Sequence, residues 1–242
     1  MTTQPVSIYN GYASIPLNSQ LSTVLRGFMM HDTFARIERI GIVPVIQIRD
    51  ASRAEAMADA LVSGGVPCAE ITFRTEQAAD AIRRIAKACP DVLVGAGTVL
   101  TTEQADRALD AGARFAVSPG LNPRVVEHCL KIGLPVAPGC ATPSDVERAL
   151  ELGLDVVKFF PAEAAGGLAY IQALAAPYGG VKFMPTGGVS AANLASYLRC
   201  KAVLACGGSY LVTAALLESA GWGEVTRLCR EARETVAEAR GL

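Results

Sequence analysis

Eight short apolar runs alternate along this chain with stretches of helical spacing, and few folds accept that rhythm. The runs are Ile42 to Ile48, Cys68 to Phe73, Val92 to Ala96, Arg114 to Ser118, Leu134 to Ala137, Asp155 to Phe160, Val181 to Pro185 and Ala202 to Cys206. Each reads as a buried parallel strand. Between them, Arg53 to Val62, Glu76 to Ala88, Thr102 to Asp110, Pro123 to Lys131 and Ser144 to Leu152 carry helical periodicity. Gly64, Gly112, Gly133 and Gly153 follow four of these helices, where a left-handed residue would release the chain into the next strand. The repeat unit, about 20 to 27 residues of strand then helix, predicts βα units and a parallel sheet. Eight such units close most naturally into a (β/α)₈ TIM barrel, and 242 residues is a fitting length. An open doubly wound sheet is the alternative. Its dinucleotide fingerprint fails here, because the stretch with Gly95 and Gly97 has Leu100 where the third glycine belongs. The stripe Val225, Leu228, Cys229, Ala232 and Val236 predicts an amphipathic helix from Trp222 to Ala239 that closes the barrel wall.

This reading gives a single barrel domain over residues 41–242, preceded by an N-terminal extension over residues 1–40. The extension holds Pro5, Pro16 and, among its first thirty residues, a single charge at Arg26. It lacks the basic start and long apolar run of a secretory signal, and no stretch of the chain reaches the roughly 18 apolar residues of a membrane span. An irregular arm lying on the domain is the expectation. The formal net charge of −1 offers no basic excess for nucleic acid. Seven cysteines without a CxxC pair argue against a disulfide framework or a cysteine zinc site and fit a reducing cytoplasm. With His31 and His128 as the only histidines, the chain is expected to work without a metal or other cofactor.

Two strands break the apolar pattern. In strand six, Val156, Lys158 and Phe160 share one face, so a lysine lies among apolar neighbours. A buried ammonium is costly unless paired, whereas the neutral amine is a nucleophile towards carbonyls. In strand two, Glu70, Thr72 and Arg74 share a face that must point inward, because the other face packs on helices. Strands two and six lie opposite each other in an eight-stranded barrel, so Glu70 and Lys158 are expected to meet across the axis. Such a pair would serve as a buried salt bridge or as machinery for aldol chemistry, with lysine forming an imine and the carboxylate moving protons. Arg74, at the mouth, could grip a substrate carboxylate or neutralise Glu70. The segments Thr186-Gly187-Gly188 and Gly207-Gly208-Ser209 place paired glycines after strands seven and eight, the recurrent phosphate site of barrels. Arg49, at the end of strand one, is a further positive charge near that region.

Six motifs in order, from Glu70-Ile71-Thr72-Phe73-Arg74-Thr75 through Gly95-Ala96-Gly97-Thr98-Val99, Ser118-Pro119-Gly120, Lys158-Phe159-Phe160-Pro161-Ala162-Glu163, Pro185-Thr186-Gly187-Gly188 to Gly207-Gly208-Ser209, carry a family likeness. From about Ile42 to the C-terminus the chain resembles the 2-keto-3-deoxy-6-phosphogluconate (KDPG) aldolases. The resemblance implies a metal-free class I lyase that splits the phosphorylated keto-deoxy acid into pyruvate and glyceraldehyde 3-phosphate. It implies Lys158 as Schiff-base lysine, Glu70 as general acid/base, Arg74 and Thr98 as holders of the pyruvate carboxylate, and Pro119 and Phe160 as pocket walls. It further implies that Thr186, Gly187, Gly188, Gly208 and Ser209 bind the distal, phosphorylated end, that 4-hydroxy-2-oxoglutarate (KHG) is a second substrate, and that the protein is a homotrimer. Phe73 and Tyr210 stand where this family commonly has leucine and tryptophan. The rival readings are a galactonate-type aldolase, whose third residue in Ser118-Pro119-Gly120 would usually be asparagine, and a phosphate-binding barrel isomerase, which would not require Lys158. A passive sugar-phosphate binder would form no covalent adduct.

Overall fold

Strands come first in placing the site, and each forms where a short apolar run leaves both of its faces to be covered. The computed structural model describes residues 32–242. Its strands are β1 (Ile42–Ile46), β2 (Cys68–Thr72), β3 (Leu93–Gly97), β4 (Ala116–Val117), β5 (Val136–Ala137), β6 (Val156–Phe159), β7 (Lys182–Pro185) and β8 (Cys206–Gly208). All residues of β2, β3 and β6 are buried, as strands of a parallel sheet covered on both faces must be. Six strands pair in parallel in the order β5-β4-β3-β2-β1-β8, and β6 pairs with β7. Isolated bridges join Gly139 to Lys158, Phe183 to Val203 and Thr186 to Gly207, linking the β6-β7 pair to its neighbours on either side. The result is a curled parallel sheet with helices on its outer face, the architecture of an α/β barrel.

The helices are α1 (residues 32–40), α2 (Ala54–Ser63), α3 (Ala78–Ala88), α4 (Thr102–Asp110), α5 (Pro123–Ile132), α6 (Pro143–Glu151), α7 (Gly167–Ala175), α8 (Leu194–Leu198), α9 (Ala214–Glu218) and α10 (Trp222–Arg240). Their starts follow local chemistry. Thr101 and Asn122 accept hydrogen bonds from the first-turn amides of α4 and α5, and Thr142 with Asp145 forms a reciprocal capping box at α6. Val225, Cys229, Ala232 and Val236 form the buried stripe of α10, which packs on α2 and α8. Among the described residues no helix is long and apolar enough to cross a membrane.

Three details depart from the sequence reading. Residues 32–40, expected to belong to an irregular arm, are helical and bury Phe34 and Ile37, while the rest of the expected extension lies outside the described residues. Gly64 is not left-handed. Its φ is −88° and the positive φ of 78° falls on Gly65, while a Cβ on Gly64 would stand 2.4 Å from Cys229 Cβ. That glycine serves the close approach of α10 rather than the turn. Strand eight begins at Cys206, later than the apolar run suggests. The run pairs with β7 through the Phe183 amide on the Ala202 carbonyl and the Leu204 amide on the Phe183 carbonyl, and Gly207 and Gly208 instead continue the ladder beside Val43 and Pro44.

Candidate active site

Backbone register decides which side chains meet inside the sheet. β2 pairs with β1 and β3 on its two sides, with Glu70 level with Val45 and Gly95. The Glu70 side chain crosses to Lys158 on β6, where Nζ lies 3.2 Å from Oε1. Both groups are almost fully enclosed, Glu70 being 1% exposed and Lys158 5%. Glu70 has room because its neighbour is Gly97, whose hypothetical Cβ would fall 2.1 Å from Oε1. The second carboxylate oxygen, Oε2, is buried with no hydrogen-bond partner among the described residues. A buried ion pair that leaves an acceptor unsatisfied is a poor source of stability. It suits a site where a substrate or product group supplies the missing donor. The Phe160 ring stands 5.5 Å from Lys158 Nζ and walls the amine from one side.

Further towards the mouth, the Thr72 hydroxyl donates to the Ile46 carbonyl at 3.1 Å, tying β2 to β1. Arg74 Nε donates to Thr98 Oγ1 at 3.2 Å, so the two expected carboxylate holders are in direct contact. Thr98 adopts φ 57°, one of two non-glycine residues with positive φ among those described. A β-branched residue there is strained, and such strain is kept where a side chain must be aimed. Pro119 and Phe160 are half-buried at the ends of β4 and β6. Ser118 Oγ donates to the Gly120 carbonyl at 2.8 Å, fixing the turn that carries Pro119.

The segment after β6 is laced to the segment after β7. Ala162 N–H donates to the Thr186 carbonyl at 2.8 Å and Glu163 N–H to the Gly187 carbonyl at 3.0 Å. Tyr197 donates its hydroxyl to Glu163 Oε1, and Asn193 Nδ2 donates to the Gly188 carbonyl at 3.1 Å. Gly187 and Gly188 have φ of 94° and 85°, a double left-handed turn that side chains would strain. Gly208 is buried inside β8 and Ser209 is exposed just beyond it. Neither glycine pair opens straight into a helix, since α8 starts at Leu194 and α9 at Ala214.

A model of the family described as "Aldolase: KDPG and KHG aldolase" matches residues 34–228. The chain belongs to this family. It is 51% identical over 203 residues to the 2-dehydro-3-deoxy-phosphogluconate aldolase of Treponema pallidum, covering 84% of this chain and 97% of that relative. It is 48% identical over 193 residues to the KHG/KDPG aldolase of Escherichia coli K12, covering 80% and 91%. Among solved structures, a KDPG aldolase from Legionella pneumophila superposes with a TM-score of 0.80 at 36% identity, covering 84% of this chain and 97% of that one. That crystal holds pyruvate captured as a covalent carbinolamine intermediate.

In this family member a cavity of about 440 Å³ lies over the ends of β1, β2 and β8. Thr72, Arg74 and Ser209 line it, but Glu70 and Lys158 do not. Sequence reasoning missed Gln47 and the wall contributed by Thr213 and Leu217. Gln47 could have been found by continuing the inward alternation of strand one from Val45. The α9 wall carries no such signal, because its approach to β1 is a tertiary contact. Among the described residues no three His, Cys, Asp or Glu side chains gather in a metal-binding group.

Proposed function

We propose that this chain is a class I aldolase that cleaves 2-keto-3-deoxy-6-phosphogluconate to pyruvate and glyceraldehyde 3-phosphate, and 4-hydroxy-2-oxoglutarate to pyruvate and glyoxylate. The observation that carries the reading is the enclosed contact between Lys158 Nζ and Glu70 Oε1 at 3.2 Å, in a chain of this family. In the proposed cycle the neutral Lys158 amine adds to the C2 carbonyl of the keto acid, and loss of water gives the imine. The C4 hydroxyl proton passes to Glu70, directly or through one water, the C3–C4 bond breaks, and its electrons flow into the imine to form an enamine. Protonation at C3 and hydrolysis then release pyruvate and restore the lysine. Arg74 and Thr98 hold the C1 carboxylate, Pro119 and Phe160 wall the pyruvyl unit, and Thr186, Gly187, Gly188, Gly208 and Ser209 receive the distal end.

The proposal extends to the assembly. Residues 41–242 are taken as one barrel closed by all eight strands, which the isolated bridges at Lys158, Val203 and Gly207 support. Residues 1–40 are an extension whose end forms α1. A homotrimer in the cytoplasm follows from the family likeness, and seven free thiols are consistent with a reducing compartment.

The test is borohydride reduction in the presence of pyruvate, followed by intact mass and peptide mapping. A reduced pyruvyl adduct on Lys158, absent from Lys158→Ala together with cleavage activity, is the expected result. No adduct in the wild type, or an adduct on another lysine, would refute the assignment.

A further inference from the structure

The row of side chains that β1 sends towards the mouth is not used by the chemistry above. Val45 is level with Glu70, so Gln47 and Arg49, following at steps of two, continue on the side of Thr72 and Arg74. Both are exposed, and both line the 440 Å³ cavity together with Arg74 and Ser209. β1 is also the hydrogen-bonded neighbour of β8, Pro44 lying level with Gly208, so Ser209 emerges directly beside it.

The charges around this cavity do not cancel. Arg53 bonds to Asp50 at 3.3 Å and to the Leu217 carbonyl at 2.6 Å, which closes that pair on itself. What remains is Arg49 and Arg74 against the lone carboxylate of Glu218. Arg49 makes no hydrogen bond or ion pair with any described residue. A keto acid with its carboxylate on Arg74 has a second anionic group to place, and the unpaired guanidinium is a bidentate partner for a phosphate.

We propose that Arg49, with Gln47 beside it, is a specificity-determining residue of this enzyme. Its guanidinium closes on the terminal phosphate from the β1 side, next to the turn after β8, and the Gln47 amide meets the substrate hydroxyls nearby. The inference rests on the aldolase reading and adds the residue that distinguishes phosphorylated from unphosphorylated substrates.

The experiment compares kcat/KM for 2-keto-3-deoxy-6-phosphogluconate with that for 2-keto-3-deoxygluconate in the wild type, Arg49→Ala and Arg49→Lys. The alanine variant is expected to lower the ratio of the two constants by about 10- to 100-fold, the worth of charge-assisted hydrogen bonds, mostly through KM on the phosphorylated substrate. Lysine should restore much of the ratio, and inorganic phosphate should inhibit the alanine variant less than the wild type. A ratio changed by less than twofold, or an equal fall on both substrates, overturns the proposal. A wild type that cleaves neither substrate and traps no pyruvate sinks the aldolase reading itself, which is a distinct result.

Discussion

Glu70 is the residue on which the proposed chemistry and the packing make opposite demands. Packing alone would favour an apolar side chain at that depth, since desolvating two ions is costly and Oε2 has no partner among the described residues. Replacing it by glutamine keeps the shape and removes the proposed base. Glu70→Gln is therefore expected to slow cleavage about 10²- to 10⁴-fold in single-turnover assays, and an unchanged rate would reduce Glu70 to a structural role. Thr98 makes a similar trade in its backbone. Its positive φ costs about 1–2 kcal/mol that glycine would not incur, while its hydroxyl receives the bond from Arg74. Thr98→Gly should leave urea stability unchanged or raised by up to about 1 kcal/mol, because glycine's extra chain entropy offsets part of the relief. The same variant should raise KM about tenfold, the worth of one hydrogen bond to a charged group. A clear loss of stability would show that the threonine conformation is not strained. The Glu70–Lys158 meeting was legible in the sequence, because strand alternation and strand count suffice to predict it. The strain at Thr98 was not, because no local pattern marks a non-glycine residue for a left-handed backbone.

At the scale of elements, the helices are set by caps and the sheet by register, and the errors of a sequence reading fall between the two. α1 was hidden inside an unpromising leader. Its last carbonyls are held from another part of the chain, the Glu38 carbonyl by Arg240 and those of Arg39 and Ile40 by Arg233, both on α10. Side chains some two hundred positions away thus cap that helix, which is why local spacing did not reveal it. Tyr210 gives a second case. It stands where the family commonly has tryptophan, and its hydroxyl is buried without a hydrogen-bond partner among the described residues. Burial pushes the phenol up to about 12, and Cys206, Cys229 and Glu231 add to it. Tyr210→Phe should accordingly stabilise the protein by about 1 kcal/mol, seen as a rise in Tm of about 2–4 °C with kcat unchanged. A fall in Tm would mean that the hydroxyl has a partner, such as water.

For the whole molecule, the buried thiols make stability depend on alkaline pH. Burial raises Cys129, Cys140, Cys206 and Cys229 to about 12 from an ordinary value of 9.0. Their folded forms hold protons that the unfolded chain gives up, so the stability they contribute is intact below about pH 9 and is lost as pH rises towards 12. Thermal unfolding followed by circular dichroism should show Tm falling across that window, and a Tm that rises there would contradict the burial. The sequence by itself determined the strand–helix alternation, the helix starts at Thr102 and Pro123 and, to within one residue, that of α6, and the inward faces of β2 and β6, because side-chain periodicity and capping act over a few residues. Only the tertiary structure decided that Gly64 serves α10, that Gly207 and Gly208 lie within a strand, that Gly97 makes room for Glu70, and that β1 and α9 share a cavity with Arg74. Each of those depends on which distant segment arrives at a given point, and close packing settles that only when every element is in place.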